Sequence, residues 1–479
     1  FLAGADVQPL PYYVSGRVVT ALLVTALLLV FYALARRLFT SEGDAWGGVA
    51  LLSVLLLALD PYMLGYSRLM HIAAPLALLM LLAVMAWLLW LREGKKRWIL
   101  VAGLFGGLAI LTKSTALLLA PISLVLALLA WLIEGPVSEH TGSVRWAWLG
   151  RTFLGWLVVI GVAAFVFFLL WPAVWLDPKA ALGLTFGKLW VDKEAGQGNL
   201  GMYWMGQFVE DPGLAFYPVT LLLKLSPLML IGLAFSLFSL RPARERQTEW
   251  MLWGYALLYL VAMTLAAKKS VRYMLPAFAA FAPLAAYGLL RLWRWATNAL
   301  ETGRKPGADR GASATVFGRG TWILGVALLL LVSLPFAPHY FSYYTPRLIG
   351  WRWAPKAILV GWGEGLGDAA RYLNQRPGSE QATAAAWYDW VFSPFFKGQT
   401  LPLSSENAIR ADYSVFYLNQ VQRNIPDPNL IAYFQRRRPE YTARLNGIDY
   451  AWVYPAVSSD EPLPEGAIPV GVPMGEMVV

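Results

Sequence analysis

No cysteine occurs among the 479 residues. Disulfides, thiolate metal sites and cysteine nucleophiles are therefore excluded, and this criterion leaves the compartment open. Charge is scarce as well: Asp, Glu, Lys and Arg make up 14% of the chain, where soluble domains carry about a quarter. There is no Walker loop, no H-E-x-x-H sequence and no zinc spacing, so the chemistries those motifs define find no support. What fills the space is apolar. Hydrophobic residues account for 58% of the chain, with 23 Trp and 22 Tyr and a mean hydropathy of +0.52. That is the composition of a multi-span membrane protein whose aromatic residues gather at the membrane–water boundaries. The net charge of +10 does not indicate nucleic-acid binding, because the basic residues are scattered over loops between apolar spans.

A helix needs about 20 apolar residues to cross the hydrocarbon layer. Ten runs approach that length, near 17–36, 46–61, 72–91, 97–112, 115–133, 152–172, 216–240, 250–267, 273–293 and 321–338. Only Lys113 and Ser114 separate the fourth from the fifth, which predicts either a tight hairpin or one broken helix. With Arg36-Arg37 placed inside, the inner loops include Arg92-Glu93-Gly94-Lys95-Lys96-Arg97, the stretches 134–151 and 241–249, and a Gly/Ala/Arg-rich linker over 291–319. Lys and Arg accumulate in cytoplasmic loops, and every span then alternates in phase. The loop over 172–213 is outside and net acidic: Asp177, Asp192, Glu194, Glu210 and Asp211 stand against Lys179, Lys188 and Lys193. Its Gly196–Trp204 stretch reads as mobile, and its carboxylates as solvated charges.

Composition changes near His339. Strand-like runs (Ala357–Val360, Ala382–Ala386, Tyr450–Tyr454) alternate with an amphipathic helix over Leu366–Leu373. The fold class expected is thus an α-helical polytopic membrane protein with about ten transmembrane helices and a C-terminal extracytoplasmic α/β domain. The transmembrane domain covers 1–338, the α/β domain 339–457, and a Pro/Gly/Glu-rich extended tail 458–479. The run Gly361-Trp362-Gly363-Glu364-Gly365-Leu366-Gly367 lacks dinucleotide spacing and reads as a turn before a helix, with Glu364 favourable to the helix dipole.

Four polar features sit at outer span ends: Tyr66-Ser67-Arg68-Leu69-Met70-His71, the lysine of Leu111-Thr112-Lys113-Ser114-Thr115, Lys224 before Leu225-Ser226-Pro227, and Lys268-Lys269-Ser270-Val271-Arg272-Tyr273. An ionisable residue in a span is costly and points to function. The ordinary alternative is snorkelling, in which a Lys or Arg near a helix end lifts its head to the interface. That alternative fits Lys268 and Lys269 best. Together Arg68, His71, Lys113, Lys224 and Arg272 would put several cations on one membrane face, which suits a phosphate or diphosphate headgroup. An annulus of anionic lipid is the competing account, although it favours the inner leaflet.

The outline resembles the GT-C superfamily of membrane glycosyltransferases, in particular protein O-mannosyltransferases and lipid A aminoarabinose transferases. The echoes are Ser15-Gly16-Arg17, Tyr66-Ser67-Arg68 with His71, Gly107–Lys113, Pro212-Gly213 with Phe216-Tyr217-Pro218, Lys224-Leu225-Ser226-Pro227 and Arg272-Tyr273-Met274-Leu275-Pro276. Beyond the spans, Tyr343-Tyr344, Gly361–Gly365 and Tyr372-Leu373-Asn374 resemble the extracytoplasmic domain of bacterial members. Order and spacing carry the resemblance rather than any one motif. It implies inverting transfer of a sugar from a polyprenyl-phosphate donor to an extracytoplasmic acceptor, in the inner or plasma membrane. Arg68, Lys113, Lys224, Arg272 and Tyr273 would hold the lipid phosphate, and His71 is the catalytic candidate, orienting the acceptor or a metal-bound group. In the family an aspartate in the first extracytoplasmic loop serves as base or metal anchor, so a divalent metal ion is the one cofactor the resemblance allows. That loop precedes the span at Arg17; most of it, with the first helix, is expected to be absent here, and Asp6 in its remnant earns no role. Family members often carry an acid two places after His71, where this chain has Ala73. Three alternatives follow: His71 takes over, the acid comes from the absent loop, or this member is weakly active or inactive. The rival class is a non-enzymatic transporter or flippase of lipid-linked sugars, which should show internal repeats; none is evident.

Overall fold

The computed structural model describes residues 9–39, 48–134, 142–183, 202–238, 247–266, 268–301, 319–345 and 352–457. The expectations for Asp6, for most of the outer loop (184–201), for the inner linkers over 239–246 and 302–318 and for the tail from Ser458 lie outside these residues. The chain divides into two compact units, one of residues 14–199 and 211–346, the other of residues 1–13, 200–210 and 347–479.

The larger unit is helical. Its main helices are α1 (Pro9–Phe39), α2 (Gly48–Ala58), α3 (Pro61–Ser67), α4 (Ala73–Glu93), α5 (Lys96–Thr112), α6 (Leu119–Glu134), α7 (Gly142–Leu170), α8 (Phe216–Lys224), α9 (Pro227–Leu237), α10 (Gln247–Leu265), α11 (Leu275–Glu301) and α12 (Arg319–Ser333). All ten apolar runs fall on these helices. Among the described residues five helical stretches are long and apolar enough to cross a membrane, six with the bent α2–α3 pair, and two shorter apolar helices accompany them. The chain is a multi-pass membrane protein.

Two expected spans are broken, and for the same reason. Proline lacks the N–H that would continue a helix but suits a helix start. Asp60-Pro61 bends α2 against α3 by 67°, with Asp60 Oδ1 accepting from the N–H groups of Tyr62 (2.9 Å) and Met63 (3.3 Å). Ser226-Pro227 separates α8 from α9, and Ser226 Oγ accepts from Met229 N–H at 3.4 Å. Each break is an N-cap, not a defect. The fourth and fifth runs are separate helical elements at Lys113. Its backbone is extended, α5 ends there, and a 3₁₀ turn (Ser114–Leu118) leads into α6.

Helices pack through small residues. A Cβ added at Gly107 of α5 would lie 2.7 Å from Ala163 O of α7, and one at Gly288 of α11 would run into Gly232 O of α9. Such backbone-to-backbone approach is how helices associate where lipid supplies no hydrophobic driving force. α4, the most deeply buried of the long spans, forms the centre. At its C-terminal end Glu93 gathers Arg37 (2.8 Å), Lys95 (3.1 Å) and Arg97 (3.8 Å), while Arg151 donates to Gly94 O. The basic loop read as internal is thus an ion-pair cluster around one carboxylate.

The smaller unit contains a hairpin of β1 (Met202–Trp204) and β2 (Gln207–Val209) and a five-stranded sheet of order β4-β3-β5-β7-β6. The strands are β3 (Thr383–Ala386), β4 (Gln399–Pro402), β5 (Tyr413–Tyr417), β6 (Tyr441–Leu445) and β7 (Ile448–Pro455). β3 runs parallel to β4 and β5; β7 is antiparallel to β5 and β6. Among its helices are α13 (Leu366–Leu373), α14 (Leu418–Arg423) and α15 (Pro428–Arg436). Phe416, Leu430, Ile431, Phe434 and Tyr454 form one apolar core. Leu366–Leu373 is helical and Ala384–Ala386 and Tyr450–Tyr454 are stranded, as expected; Ala357 instead ends a helical turn (Ala354–Ala357). The Gly361–Gly367 turn has Gly363 and Gly365 at positive φ (79° and 83°), where a Cβ is disfavoured. Glu364 turns inward: its carboxylate is buried and accepts from Tyr417 OH and Trp362 N–H. Burial and that negative charge push the Tyr417 phenol well above its ordinary pKa.

Candidate functional site

Several of the breaks between helices converge. Tyr66 is buried, packed edge-on against Tyr62 (centroids 5.1 Å) and Phe341 (4.9 Å) and tilted against His71 (5.9 Å). This aromatic stack fixes the short segment between α3 and α4. Tyr62 OH donates to Val271 O at 2.9 Å, tying that segment to the 3₁₀ turn Val271–Met274 that opens α11. Lys113 enters from the α5–α6 break. A cavity of about 260 Å³ results, lined by His71, Ile72, Ala73, Leu76, Lys113, Thr115, Tyr259, Arg272, Tyr273 and Pro276.

Tyr273 is the hinge of its electrostatics. Lys113 Nζ lies 3.8 Å from the ring centroid and the Arg272 guanidinium carbon 5.5 Å, so one electron-rich ring helps hold two cations together. Burial first, then Arg272 and the exposed Lys268, lower the Lys113 pKa to about 8. Burial, then Arg272 and Lys113, lower that of His71 to about 4. His71 is therefore neutral near pH 7. Its Nδ1 accepts the backbone N–H of Ala73 at 3.0 Å, which leaves the imidazole proton on Nε2. The ring is a hydrogen-bond donor at that nitrogen, and Ala73 supplies the N–H that sets the tautomer.

Of the residues singled out from sequence, His71, Lys113, Arg272 and Tyr273 line this cavity; Arg68 and Lys224 do not. Arg68 is exposed, donates to Pro338 O at 3.0 Å and lies 5.3 Å from the Tyr340 ring. Lys224 is buried and donates to Phe341 O (3.1 Å) and Tyr343 O (2.8 Å), with the Tyr344 ring 3.7 Å away. Lys269, for which snorkelling was the better sequence account, is buried as well. Its ammonium pairs at 2.5 Å with Asp211, whose side chain is 58% exposed. Tyr259 and Thr115 were not anticipated. Tyr259 sits inside an apolar run with nothing local to mark it, whereas Thr115 closes the polar motif Leu111–Thr115 and was given no role there.

No group of three or more His, Asp or Glu among the described residues is placed to hold a metal ion. The cavity's own donors, two cationic side chains and one imidazole, suit an anion rather than a divalent cation. A second, apolar cavity of about 330 Å³ is lined by other residues of some of the same elements. Ala73 and Leu76 of α4 face the polar cavity; Ala83, Val84 and Trp87, farther along α4, face the apolar one, as do Ile110 of α5 and Ala116 and Leu117 of the 3₁₀ turn. At about 1.5 Å per residue, the seven residues from Leu76 to Ala83 span about 10 Å.

Residues 13–171 match the family described as dolichyl-phosphate-mannose-protein mannosyltransferase. No curated protein matches the chain. Among solved structures it is similar to ArnT from Cupriavidus metallidurans bound to undecaprenyl phosphate, with a TM-score of 0.43 and 15% identity, over 91% of this chain and 83% of that one. The apo state of the same protein gives a TM-score of 0.42 at the same identity and coverage. The family match covers about a third of the chain's length.

Proposed function

We propose that the chain transfers a sugar from a polyprenyl-phosphate donor to an extracytoplasmic acceptor in the inner or plasma membrane. The observation that carries this reading is the convergence of Lys113 and Arg272 on one cavity at the helix ends, against Tyr273 and beside His71. The family match supports a glycosyltransferase, and the family's description names a dolichyl-phosphate sugar. The apolar cavity beside the cations suits the hydrocarbon chain of such a donor. The breaks at Lys113 and Arg272 stand at the ends of their helices opposite to the basic cluster around Glu93. By the positive-inside rule the cavity then faces outward.

In inverting transfer an acceptor oxygen or nitrogen attacks the anomeric carbon, the bond from that carbon to the phosphate oxygen breaks, and polyprenyl phosphate departs with the bonding pair while the acceptor's proton passes to the departing phosphate or to solvent. Negative charge grows on the phosphate as the bond lengthens, so cations already in place stabilise the transition state more than the ground state. Arg272 is suited to bidentate contact with two phosphate oxygens, and Lys113 acts as a point charge. The Nε2–H of His71 donates to the same phosphate or to a sugar hydroxyl. This makes His71 an orienting donor, because its Nδ1 lone pair is already engaged. Arg68 and Lys224 are assigned to the packing of the 338–345 segment instead.

The test is to incubate the protein with polyprenyl-phosphate sugars and measure released lipid phosphate, comparing the parent chain with Arg272→Ala. Losing a charge-assisted hydrogen bond costs about 1.5–3 kcal/mol, so donor affinity should fall by about 10- to 150-fold. Unchanged turnover of the variant at limiting donor would sink the assignment.

A further inference from the structure

A cavity of about 550 Å³ lies wholly within the α/β unit, remote in sequence from the cations assigned above and used by nothing so far described. Its size falls in the range of roughly 300–1,000 Å³ typical of small-molecule sites. Tyr203 from the β1–β2 hairpin and Trp452 from β7 are half-buried in its lining, with Arg352, Lys356, Arg444 and Asp449. Three cations against one carboxylate give a net positive lining.

The walls are built rather than loosely apposed. Met205 N–H donates to Ala357 O at 2.9 Å, and Trp204 bridges to Ile358, which fastens the hairpin to the segment bearing Lys356. The buried Gln422, itself part of the lining, holds that segment in place. Its Nε2 donates to Pro355 O and Ile358 O, and its Oε1 accepts from Val360 N–H at 2.9 Å. On the facing wall Arg444 and Asp449 are cross-strand neighbours, paired through both carboxylate oxygens (2.5 and 3.2 Å) beside the Asn446-Gly447 turn. A fastened hairpin on one side and an ordered guanidinium on the other make a preorganised cleft.

We propose that this cleft binds an anionic saccharide. Half-exposed aromatic side chains supply the flat apolar faces on which sugar rings rest. Asp449 and the amide of the exposed Asn424 can meet hydroxyls, which both donate and accept. Arg352, Lys356 and Arg444 take the carboxylate or phosphate that the sugar carries. A purely apolar ligand would not engage the positive lining, and a bare anion would not use the aromatic side chains. As a means of holding the acceptor the site rests on the glycosyltransferase reading; as a binding site it does not.

Calorimetric titration of the full chain in detergent tests it, with digalacturonic acid, the corresponding neutral digalactose and inorganic phosphate as probes. The acidic disaccharide should bind at least tenfold more tightly than either of the others. The Lys356→Ala/Arg444→Ala double variant should lose that preference while keeping the parent melting temperature, since both side chains are exposed. Trp452→Phe, which preserves the core contact, should weaken the disaccharide and leave phosphate unaffected. No binding of the acidic disaccharide, equal binding of the neutral one or of phosphate, or a double variant that binds like the parent would overturn the proposal. Arg272→Ala should bind the disaccharide normally, so failure of the transferase reading and failure of this site are told apart.

Discussion

Lys224→Met separates two accounts of one buried lysine. On sequence it belongs with the phosphate ligands; in the fold its Nζ donates to Phe341 O and Tyr343 O from beneath the Tyr344 ring. Methionine keeps the length and apolar stem but removes the donors, leaving two buried carbonyls short of a partner. Each unsatisfied group costs about 1–3 kcal/mol, and the cation–π contact adds about 0.5–2 kcal/mol. The better transfer of a thioether into an apolar site offsets part of this, so a net loss of about 3 kcal/mol is expected. Thermal unfolding in detergent should show a melting temperature lower by several degrees. Donor affinity, measured below that temperature by titration with polyprenyl phosphate, should stay within about twofold of the parent. A variant that melts like the parent yet loses donor affinity would refute the reasoning and return Lys224 to the phosphate site.

Perturbing three further residues tests the same geometry. Lys113, with its pKa lowered to about 8, is charged below that value and neutral above it, so donor affinity should fall as pH rises through about 8; Lys113→Arg should move the fall to higher pH. Because the unfolded chain holds this proton up to its ordinary value, stability should rise with pH between about 8 and 10, which thermal melts at stepped pH will read. Gly288→Leu would drive a side chain into Gly232 O and Ser236 N of α9, at a cost of about 3 kcal/mol or more, visible as lost folded protein in size-exclusion chromatography. Asp211→Asn leaves the buried Lys269 without its carboxylate and should cost about 1–3 kcal/mol. Lys269 holds the Asp211 carboxyl below its usual range, so the parent's advantage should be present at neutral pH and vanish as acid protonates Asp211.

Much of this protein is legible from its amino acids alone, because the bilayer imposes one strong rule: a run of about 20 apolar residues must become a helix. The ten runs, the basic loop around Glu93 and the helix over Leu366–Leu373 all follow from composition and period. So does the notice drawn by Tyr66–His71, Lys113 and Arg272, since ionisable residues at span ends are rare enough to stand out. Which of those cations share a cavity was not legible. Arg68 and Lys224 have the same local signature as Lys113 and Arg272, namely a positive charge beside an apolar run. Only the packing of residues 338–345 against α3 and α8 diverts the first pair to backbone carbonyls, and only the Tyr273 ring brings the second pair together. Tyr259, Thr115 and the cleft between Tyr203 and Trp452 depend likewise on elements far apart in the chain. Hydrophobic period is a property of neighbours along the sequence, whereas a site is a property of neighbours across it.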